Sequence, residues 1–266
     1  MQNIHKSSII EDGAVIGNDV VIAPFCYIGS NVTIGDGTTI GANSLIDGDT
    51  TIGKNNKIFS HVVLGSIPQD LKFNNEKVKL IIGDNNTFRE FSFVTPGTLD
   101  GGSVTQIGNG NLIMAYVHLG HDVIMGDNCI LSNATNVGGH VIFGNGIIVG
   151  AMSGIHQFVK IGDKAMIAGA SALTQDLPPY CMAEGNRAVL RGLNITGLRR
   201  AFDRDDIDKI KRTYKELFES GKSLKDSARE ILKNSNNSKI DNLCNFVIET
   251  KRGIPYARNS VDAKKV

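Results

Sequence analysis

The chain has 266 residues, of which 41% are hydrophobic, so it can bury a substantial core and a disordered chain is excluded. Its 28 basic and 27 acidic side chains leave a net charge of +1. This balance excludes a strong field of one sign, so we expect neither nucleic acid nor an anionic membrane as the main partner.

Residues 1–10 contain no charged region followed by an apolar run, and no stretch approaches the roughly 20 apolar residues that a membrane span needs. We therefore expect a cytoplasmic protein without a membrane span. The cysteines show no pair at the spacing of a metal or redox motif, which favours buried, reduced thiols. They are Cys26, Cys129, Cys181 and Cys244.

Aliphatic residues recur every six positions through the first two thirds of the chain. The first run contains Ile10, Ile16, Ile22, Ile28, Ile34, Ile40, Ile46, Ile52, Ile58 and Leu64. Ile82, Phe88 and Val94 continue the pattern, and the second run contains Ile107, Ile113, Leu119, Met125, Leu131, Val137, Phe143, Val149, Ile155, Ile161, Ile167 and Leu173. A period of six fits neither an amphipathic helix nor a long alternating strand, but it fits short strands joined by turns.

This repeat is typical of a hexapeptide β-helix, a triangular prism in which three hexads form one coil. Residues three hexads apart then stack along one edge, separated by about 4.8 Å, the usual distance between hydrogen-bonded strands. Periodicity does not give the handedness of the coil. Two segments interrupt the repeat: the polar residues 65–80, which we expect to project as a loop, and residues 96–106, which shift the phase by one residue.

After Pro179 the hexads stop, and a helical period begins near Asp203. Ser223 is a candidate N-cap of a second helix, and further helix is expected over residues 239–250. We therefore predict a β-helix over residues 1–187, with inserted loops at 65–80 and 96–106, and a small helical domain over residues 188–266.

Three segments, 120–122, 138–140 and 156–158, follow one another at steps of three hexads, so the predicted fold places them on one edge of three successive coils. Four of the six histidines gather on or beside this edge: His118, His121, His140 and His156. Such a cluster of groups that titrate near neutrality suits proton transfer. The alternative is that polar residues merely occupy corners that face water.

A zinc site is a second alternative, because three histidines can hold zinc and leave a fourth position open. His118 and His121 point to different sides of an extended segment, so both could bind one ion only across an interface between subunits. Some trimeric β-helix carbonic anhydrases hold zinc in this way. A β-helix that serves only as a scaffold predicts no cluster of histidines.

Ordered motifs over nearly the whole chain make the sequence more specific than hexads alone. They are Gln69-Asp-Leu-Lys72, His118-Leu-Gly-His121-Asp122, Gly138-Gly-His140, Gly154-Ile-His156-Gln157-Phe158, Asp176-Leu-Pro-Pro-Tyr180, Glu184-Gly-Asn186 and Leu193-Asn194-Ile-Thr-Gly-Leu198-Arg199-Arg200. In this order they resemble the UDP-N-acetylglucosamine O-acyltransferase family. The resemblance implies a left-handed parallel β-helix with a small C-terminal α-helical domain, assembled as a homotrimer.

The resemblance also implies a reaction, the transfer of a 3-hydroxyacyl chain from acyl carrier protein to the 3-position of UDP-N-acetylglucosamine in lipid A synthesis. His121 would be the general base, Asp122 would orient it, and the N–H of Gly139 would stabilise the oxyanion. No metal and no cofactor are implied. The implied substrate-binding residues are Asp70, Lys72, His118, His140, His156, Gln157, Asn194, Arg199 and Arg200.

The sequence departs from the family near the sugar and the nucleotide. Thr95-Pro96 stands where a histidine and an arginine are common, and Thr196 stands where an acidic residue is frequent. The acceptor could therefore carry a 3-hydroxyl or a 3-amine. Arg199 and Arg200 suit phosphate pairing, although they could also be solvated at the start of a helical region.

Gly169 matches the family position that closes the far end of the acyl groove. A glycine there leaves the groove open, so the resemblance implies a long donor of about 14 carbons, each buried methylene contributing roughly 0.8 kcal/mol. Two related enzyme classes fit the sequence less well. The later N-acyltransferase of the same pathway needs an additional N-terminal domain, for which the hexads leave no room, and hexapeptide acetyltransferases would not predict these ordered motifs.

Overall fold

The structure is a computed structural model that describes residues 3–256. Most strands contain only two residues, because a turn follows each aliphatic hexad position. The strands are β1 (Asn3–Ile4), β2 (Ile9–Ile10), β3 (Val15–Ile16), β4 (Val21–Ile22), β5 (Tyr27–Ile28), β6 (Thr33–Ile34), β7 (Thr39–Ile40), β8 (Leu45–Ile46), β9 (Asp49–Ile52), β10 (Lys57–Ile58), β11 (Val63–Leu64), β12 (Lys79–Ile82), β13 (Thr87–Phe88), β14 (Phe93–Val94), β15 (Val104–Ile107), β16 (Leu112–Ile113), β17 (His118–Leu119), β18 (Ile124–Met125), β19 (Ile130–Leu131), β20 (Asn136–Val137), β21 (Ile142–Phe143), β22 (Ile148–Val149), β23 (Gly154–Ile155), β24 (Lys160–Ile161), β25 (Met166–Ile167), β26 (Ala172–Leu173), β27 (Cys181–Glu184) and β28 (Val189–Leu193).

These strands form three sheets of 11, 9 and 8 strands, one for each face of a prism. Within each sheet a strand pairs in parallel with the strand three positions along the chain, as β17 does with β20 and β20 with β23. His118 is therefore opposite Asn136, and Asn136 is opposite Gly154, at the predicted separation of one coil. The chain is a left-handed parallel β-helix, as predicted.

The aliphatic hexad positions form the core. Every predicted position from Ile22 to Leu173 is buried, with at most 4% of its surface exposed. Ile10 and Ile16, in the first coil of the described residues, are only partly buried, because they pack against a neighbouring coil on one side alone. The four cysteines are also buried and unpaired, as predicted, and burial raises the pKa of the Cys129 thiol to about 11.

Both interruptions of the repeat are insertions between paired strands. Ile82 pairs with Ile52, and Ile107 pairs with Ile82, so each of these pairs encloses more of the chain than the three hexads of a regular coil. The two loops are shorter than the predicted ranges of 65–80 and 96–106, because β12 already begins at Lys79 and β15 at Val104. The second loop contains a short 3₁₀ helix, Leu99–Gly101.

A column of buried asparagines runs beside the two insertions. Asn56, Asn86 and Asn111 are at most 1% exposed and stack on successive coils. The Oδ1 atom of Asn86 accepts hydrogen bonds from the backbone N–H and the side-chain amide of Asn111, and its Nδ2 donates to the carbonyl of Gly108. The column therefore satisfies backbone groups at a corner of the prism, where the strand hydrogen bonds stop.

The C-terminal end of the prism is covered. β28 pairs antiparallel with β27, and the helices α1 (Ile195–Ala201), α2 (Arg204–Phe218), α3 (Leu224–Lys233) and α4 (Ser238–Glu249) follow. These helices share a second apolar cluster, and Tyr214 and Phe218 of α2 also pack against the prism core. Ser223 precedes α3, as predicted, but its side chain makes no capping hydrogen bond.

The sheet continues to Leu193, and the division of the chain into two domains at residue 187 stays a prediction. None of the helices within residues 3–256 is long and apolar enough to cross a membrane.

Asn86→Ala should lower the free energy of unfolding by about 3 kcal/mol, because it leaves the buried N–H of Asn111 and the partly buried carbonyl of Gly108 without partners. Urea unfolding followed by circular dichroism measures this change. Asn31→Ala is the matched control, since Asn31 is exposed on the same prism. Equal stability of the two variants would contradict a structural role for the asparagine column.

Candidate active site

The predicted histidine edge exists and lies at the corner between the sheet that contains β17, β20 and β23 and the sheet that contains β18, β21 and β24. The N–H of His140 donates to the carbonyl of His121, at 2.9 Å, and the N–H of Phe158 donates to that of Gly139, at 3.0 Å. Corners of successive coils thus stack directly on one another. The ring of Phe158 stacks on that of His140, with centroids 4.3 Å apart.

His121 and Asp122 form a hydrogen-bonded pair. The Nδ1 atom of His121 lies 2.8 Å from Oδ2 of Asp122. The Asp122 side chain is only 1% exposed, whereas that of His121 is 18% exposed. A carboxylate held against Nδ1 favours the tautomer with its proton on that nitrogen, which leaves Nε2 free to accept a proton.

Gly139 lies one coil above His121 and is packed closely against its ring. A Cβ atom at this position would stand 2.6 Å from Nε2 of His121, so a larger residue would collide with the ring. The N–H of Gly139 makes no hydrogen bond with any residue between positions 3 and 256. The residue packed against the edge of the His121 ring therefore carries a free N–H donor.

Two other histidine rings of the edge are held in the neutral form. Burial lowers the pKa of His118, whose ring stacks on Phe93 with centroids 5.2 Å apart. Burial also lowers the pKa of His140, an effect that the nearby carboxylate of Asp122 only partly offsets. The lowered pKa values favour the neutral rings, each of which can donate or accept a hydrogen bond.

A cavity of about 500 Å³ opens beside this edge, over the face of the prism formed by β17, β20, β23 and β26. Its lining joins the histidine edge to the polar loop before β12. The lining residues are Gln69, Thr95, His118, Gly120, His121, Asn136, Val137, Gly138, Gly139, Gly154, Ile155, His156, Ala172, Leu173 and Thr174. His118, His121, Gly139 and His156 thus line one cavity on the predicted edge, while Asp122 is buried next to His121.

Asp70 and Lys72 line a separate, neighbouring cavity of about 280 Å³ together with Thr98 and Asp100. Lys72 forms an exposed ion pair with Asp100 at 3.9 Å. Gln157, beside His156, is exposed. These predicted binding residues therefore surround the main cavity without lining it.

The remaining predicted residues lie apart from the cavity. Asn194 is the N-cap of α1: its Oδ1 accepts from the N–H of Gly197 at 3.0 Å, and its Nδ2 donates to the carbonyl of Lys164. Arg199 and Arg200 are exposed in the last turn of α1. Gly169 is exposed on a different edge of the prism, across the face that carries the cavity.

The structure adds residues to which the sequence assigned no role. Asn136 and Gly154 follow His118 at steps of one coil, so the repeat could have identified them as part of the cavity wall. Arg252, after α4, donates to Nδ1 of His156 at 3.3 Å and to the carbonyl of Thr174 at 3.1 Å. No periodic signal connects Arg252 to this edge.

Within residues 3–256, one group of side chains has the spacing of a metal site: His121, Asp122 and His140, with ligand atoms within 4.8 Å of one another. The carboxylate of Asp122 is already engaged, however. It accepts hydrogen bonds from His121 and, at 2.6 to 3.1 Å, from the backbone and hydroxyl of Thr98. A metal ion would have to displace these bonds, so the donor set fits an orienting carboxylate better than a ligand.

Comparison with known proteins agrees with this geometry. Residues 176–255 match the family described as Udp N-acetylglucosamine O-acyltransferase, domain 2, and residues 13–48, 31–66 and 105–139 match the bacterial transferase hexapeptide family.

Full-length relatives extend the match. The chain is 61% identical to the acyl-acyl-carrier-protein–UDP-N-acetylglucosamine O-acyltransferase of Aliarcobacter butzleri, over 97% of this chain and 100% of the relative. It is 62% identical to the corresponding enzyme of Sulfurimonas denitrificans, over 97% of this chain and 99% of the relative. The solved UDP-N-acetylglucosamine acyltransferase from Campylobacter jejuni superposes with a TM-score of 0.93 at 45% identity, over 96% of this chain and 100% of that chain. The chain therefore belongs to the UDP-N-acetylglucosamine O-acyltransferase family.

Proposed function

We propose that the protein transfers a 3-hydroxyacyl chain from acyl carrier protein to the 3-position of UDP-N-acetylglucosamine, as a step of lipid A synthesis. The observation that carries the proposal is the hydrogen-bonded pair of His121 and Asp122, with Gly139 packed against the edge of the His121 ring at the cavity. The names of full-length relatives specify the same donor and acceptor. Incubating the protein with an acyl carrier protein thioester and UDP-N-acetylglucosamine, and measuring the acylated sugar nucleotide, tests it.

The first step is nucleophilic attack by the sugar. Nε2 of His121 removes the proton of the 3-hydroxyl as its oxygen bonds to the thioester carbonyl carbon. Asp122 holds the Nδ1–H and stabilises the imidazolium that forms. The carbonyl oxygen becomes an oxyanion, and the N–H of Gly139 donates to it, which stabilises this charge in a partly enclosed site.

The second step breaks the carbon–sulfur bond. The oxyanion collapses to the ester, and the carrier thiolate leaves with the proton held by His121, which restores the free base. With a 3-amino acceptor the same steps give an amide. Supplying both acceptors in competition, and treating the product with mild base, distinguishes the ester from the amide.

The neutral rings of His118 and His140 suit contacts with hydroxyl groups of the sugar and with the 3-hydroxyl of the acyl chain. His156 and Gln157 lie one coil further on and suit the nucleotide. Asp70 and Lys72 provide polar groups from the projecting loop. Asn194, Arg199 and Arg200 supply an amide and two cations for the nucleotide and its diphosphate.

We propose a homotrimer, because one copy does not bring all these groups to one cavity. Arg199, Arg200 and Gly169 lie away from the histidine edge, and a neighbouring prism packed alongside can supply them. Large apolar side chains on the edge that also carries Gly169 support this packing. They are about half or more exposed in a single chain, so a neighbouring prism could cover them. They are Phe25 at 67%, Phe91 at 47%, Tyr116 at 60% and Met152 at 69%.

A cytoplasmic location is part of the proposal. Four buried, unpaired thiols fit a reducing compartment.

His121→Ala should lower kcat by about 100- to 10,000-fold, because general-base catalysis contributes that much, while the fold and assembly persist. Steady-state assay of the purified variant, with circular dichroism and solution mass, measures both. His5→Ala is the control, since His5 is exposed and far from the cavity. Near-normal turnover of a folded His121→Ala protein would remove this residue from the mechanism.

Exhaustive chelation should leave activity unchanged, because the Asp122 carboxylate already accepts hydrogen bonds where a metal would bind. Zinc content by mass spectrometry, and turnover before and after dialysis against a chelator, check this expectation. Stoichiometric zinc, with activity lost on chelation and restored by zinc, would favour the carbonic-anhydrase alternative.

Gly169→Met should shift the donor preference to chains several carbons shorter, because a long chain would meet the new side chain. A Cβ at this position would lie 3.3 Å from the carbonyl oxygen of Ala151, a tight contact, so the backbone must shift by a few tenths of an ångström and the fold of the variant has to be checked. Turnover on a series of acyl carrier protein thioesters measures the ranking, with Gly169→Ala as a smaller change at the same site. An unchanged ranking in folded Gly169→Met protein would contradict the groove assignment.

A further inference from the structure

The inserted loop between β14 and β15 reaches the buried carboxylate behind the candidate base. The backbone N–H of Thr98 donates to Oδ1 and Oδ2 of Asp122 at 2.9 and 3.1 Å, and its hydroxyl donates to Oδ2 at 2.6 Å. Both residues are 4% exposed. Thr98 therefore supplies three of the contacts that hold Asp122, from an earlier coil of the chain.

The loop is shaped to make these contacts. Thr98 stands at the N-terminus of the 3₁₀ helix, yet its side chain does not cap that helix, because its hydroxyl is directed to Asp122 instead. A Cβ on Gly101 would collide with the carboxyl group of Asp122, so the loop backbone packs directly on the carboxylate. The hydroxyl of Thr105, where the loop rejoins the prism, accepts from the N–H of Asp122 at 2.8 Å.

These contacts determine what Asp122 can do. The N–H and O–H of Thr98 both donate to its oxygens and so hold the carboxylate in one orientation. They also fix Oδ2 at 2.8 Å from Nδ1 of His121, and so fix the ring with Nε2 toward the cavity. An aspartate at the corner of a coil would otherwise be free to rotate into solvent, as exposed side chains do.

We propose that Thr98 is a positioning residue for the transfer reaction, acting through Asp122 on His121. This inference rests on the proposed function. It assigns a role to the loop between β14 and β15, which holds the His121 ring in its reactive orientation through Asp122. Thr98 itself touches neither the main cavity nor the reacting atoms, which distinguishes it from the binding residues of the histidine edge.

Thr98→Val removes the hydroxyl and keeps the shape of the side chain. Loss of a hydrogen bond to a charged group should lower kcat about tenfold, with KM for the sugar nucleotide within about twofold. Thr98→Ser, which restores the hydroxyl, should recover most of the rate.

Thr38→Val is the matched control. Thr38 is fully buried in the same prism and its hydroxyl donates to the carbonyl of Gly53 at 3.0 Å, so its loss costs stability without touching the site. Should Thr98→Val fail to fold, Gly101→Ala provides the test, because the added methyl must push the loop away from Asp122 and lower kcat in the same way.

The proposal is overturned if folded Thr98→Val keeps the wild-type kcat, if Thr98→Ser is as impaired as Thr98→Val, or if Thr38→Val shows the same loss. If Thr98→Val does not fold, a folded Gly101→Ala protein with the wild-type kcat overturns the proposal. Failure of the proposed function looks different: the wild-type protein would form no acylated sugar nucleotide, or His121→Ala would remain active.

Discussion

Parallel pairing at a fixed separation of one coil is the constraint on which the rest of the structure depends. A two-residue strand has no stability alone, so each strand exists only because it pairs with the coils before and after it. The aliphatic column inside the prism holds that spacing, because a shift of one residue would turn the core positions outward. Residues from three distant parts of the sequence, at His121, Gly139 and Gln157, are thereby placed one above another with almost no freedom.

The site combines a rigid frame with unequal electrostatic environments. Burial holds His118 and His140 neutral, whereas the carboxylate of Asp122 is buried among donors that compensate its charge. The repeating coils alone would not produce a compensated carboxylate at one corner, because the corners of the prism are alike from coil to coil. The second insertion provides it, since the donors of Thr98 reach Asp122 at the histidine edge.

The sequence predicted the prism, its core and the histidine edge because each follows from a fixed period. It did not predict the starts of β12 and β15, because those strands have a second inward position, occupied by Leu80 and Thr105, that the six-residue pattern does not include. The contacts of Thr98 and Arg252 were also not predicted, since nothing periodic determines where an inserted loop or a terminal segment meets the prism. The resemblance assigned Asn194 to nucleotide binding. In the structure its side-chain oxygen instead caps the N-terminus of α1, by accepting from the N–H of Gly197.

The two ends of the prism are not equivalent, and this affects how the protein opens. In a solenoid each coil contacts only its neighbours, so opening begins at an uncovered end and proceeds coil by coil. Within residues 3–256 the first coil, with the partly buried Ile4, Ile10 and Ile16, is the less covered end, whereas β28 and α2 close the other. Amide hydrogen exchange should therefore slow progressively along the chain, and the coils that carry the histidine edge lie toward the slow end, where transient fraying does not reach them.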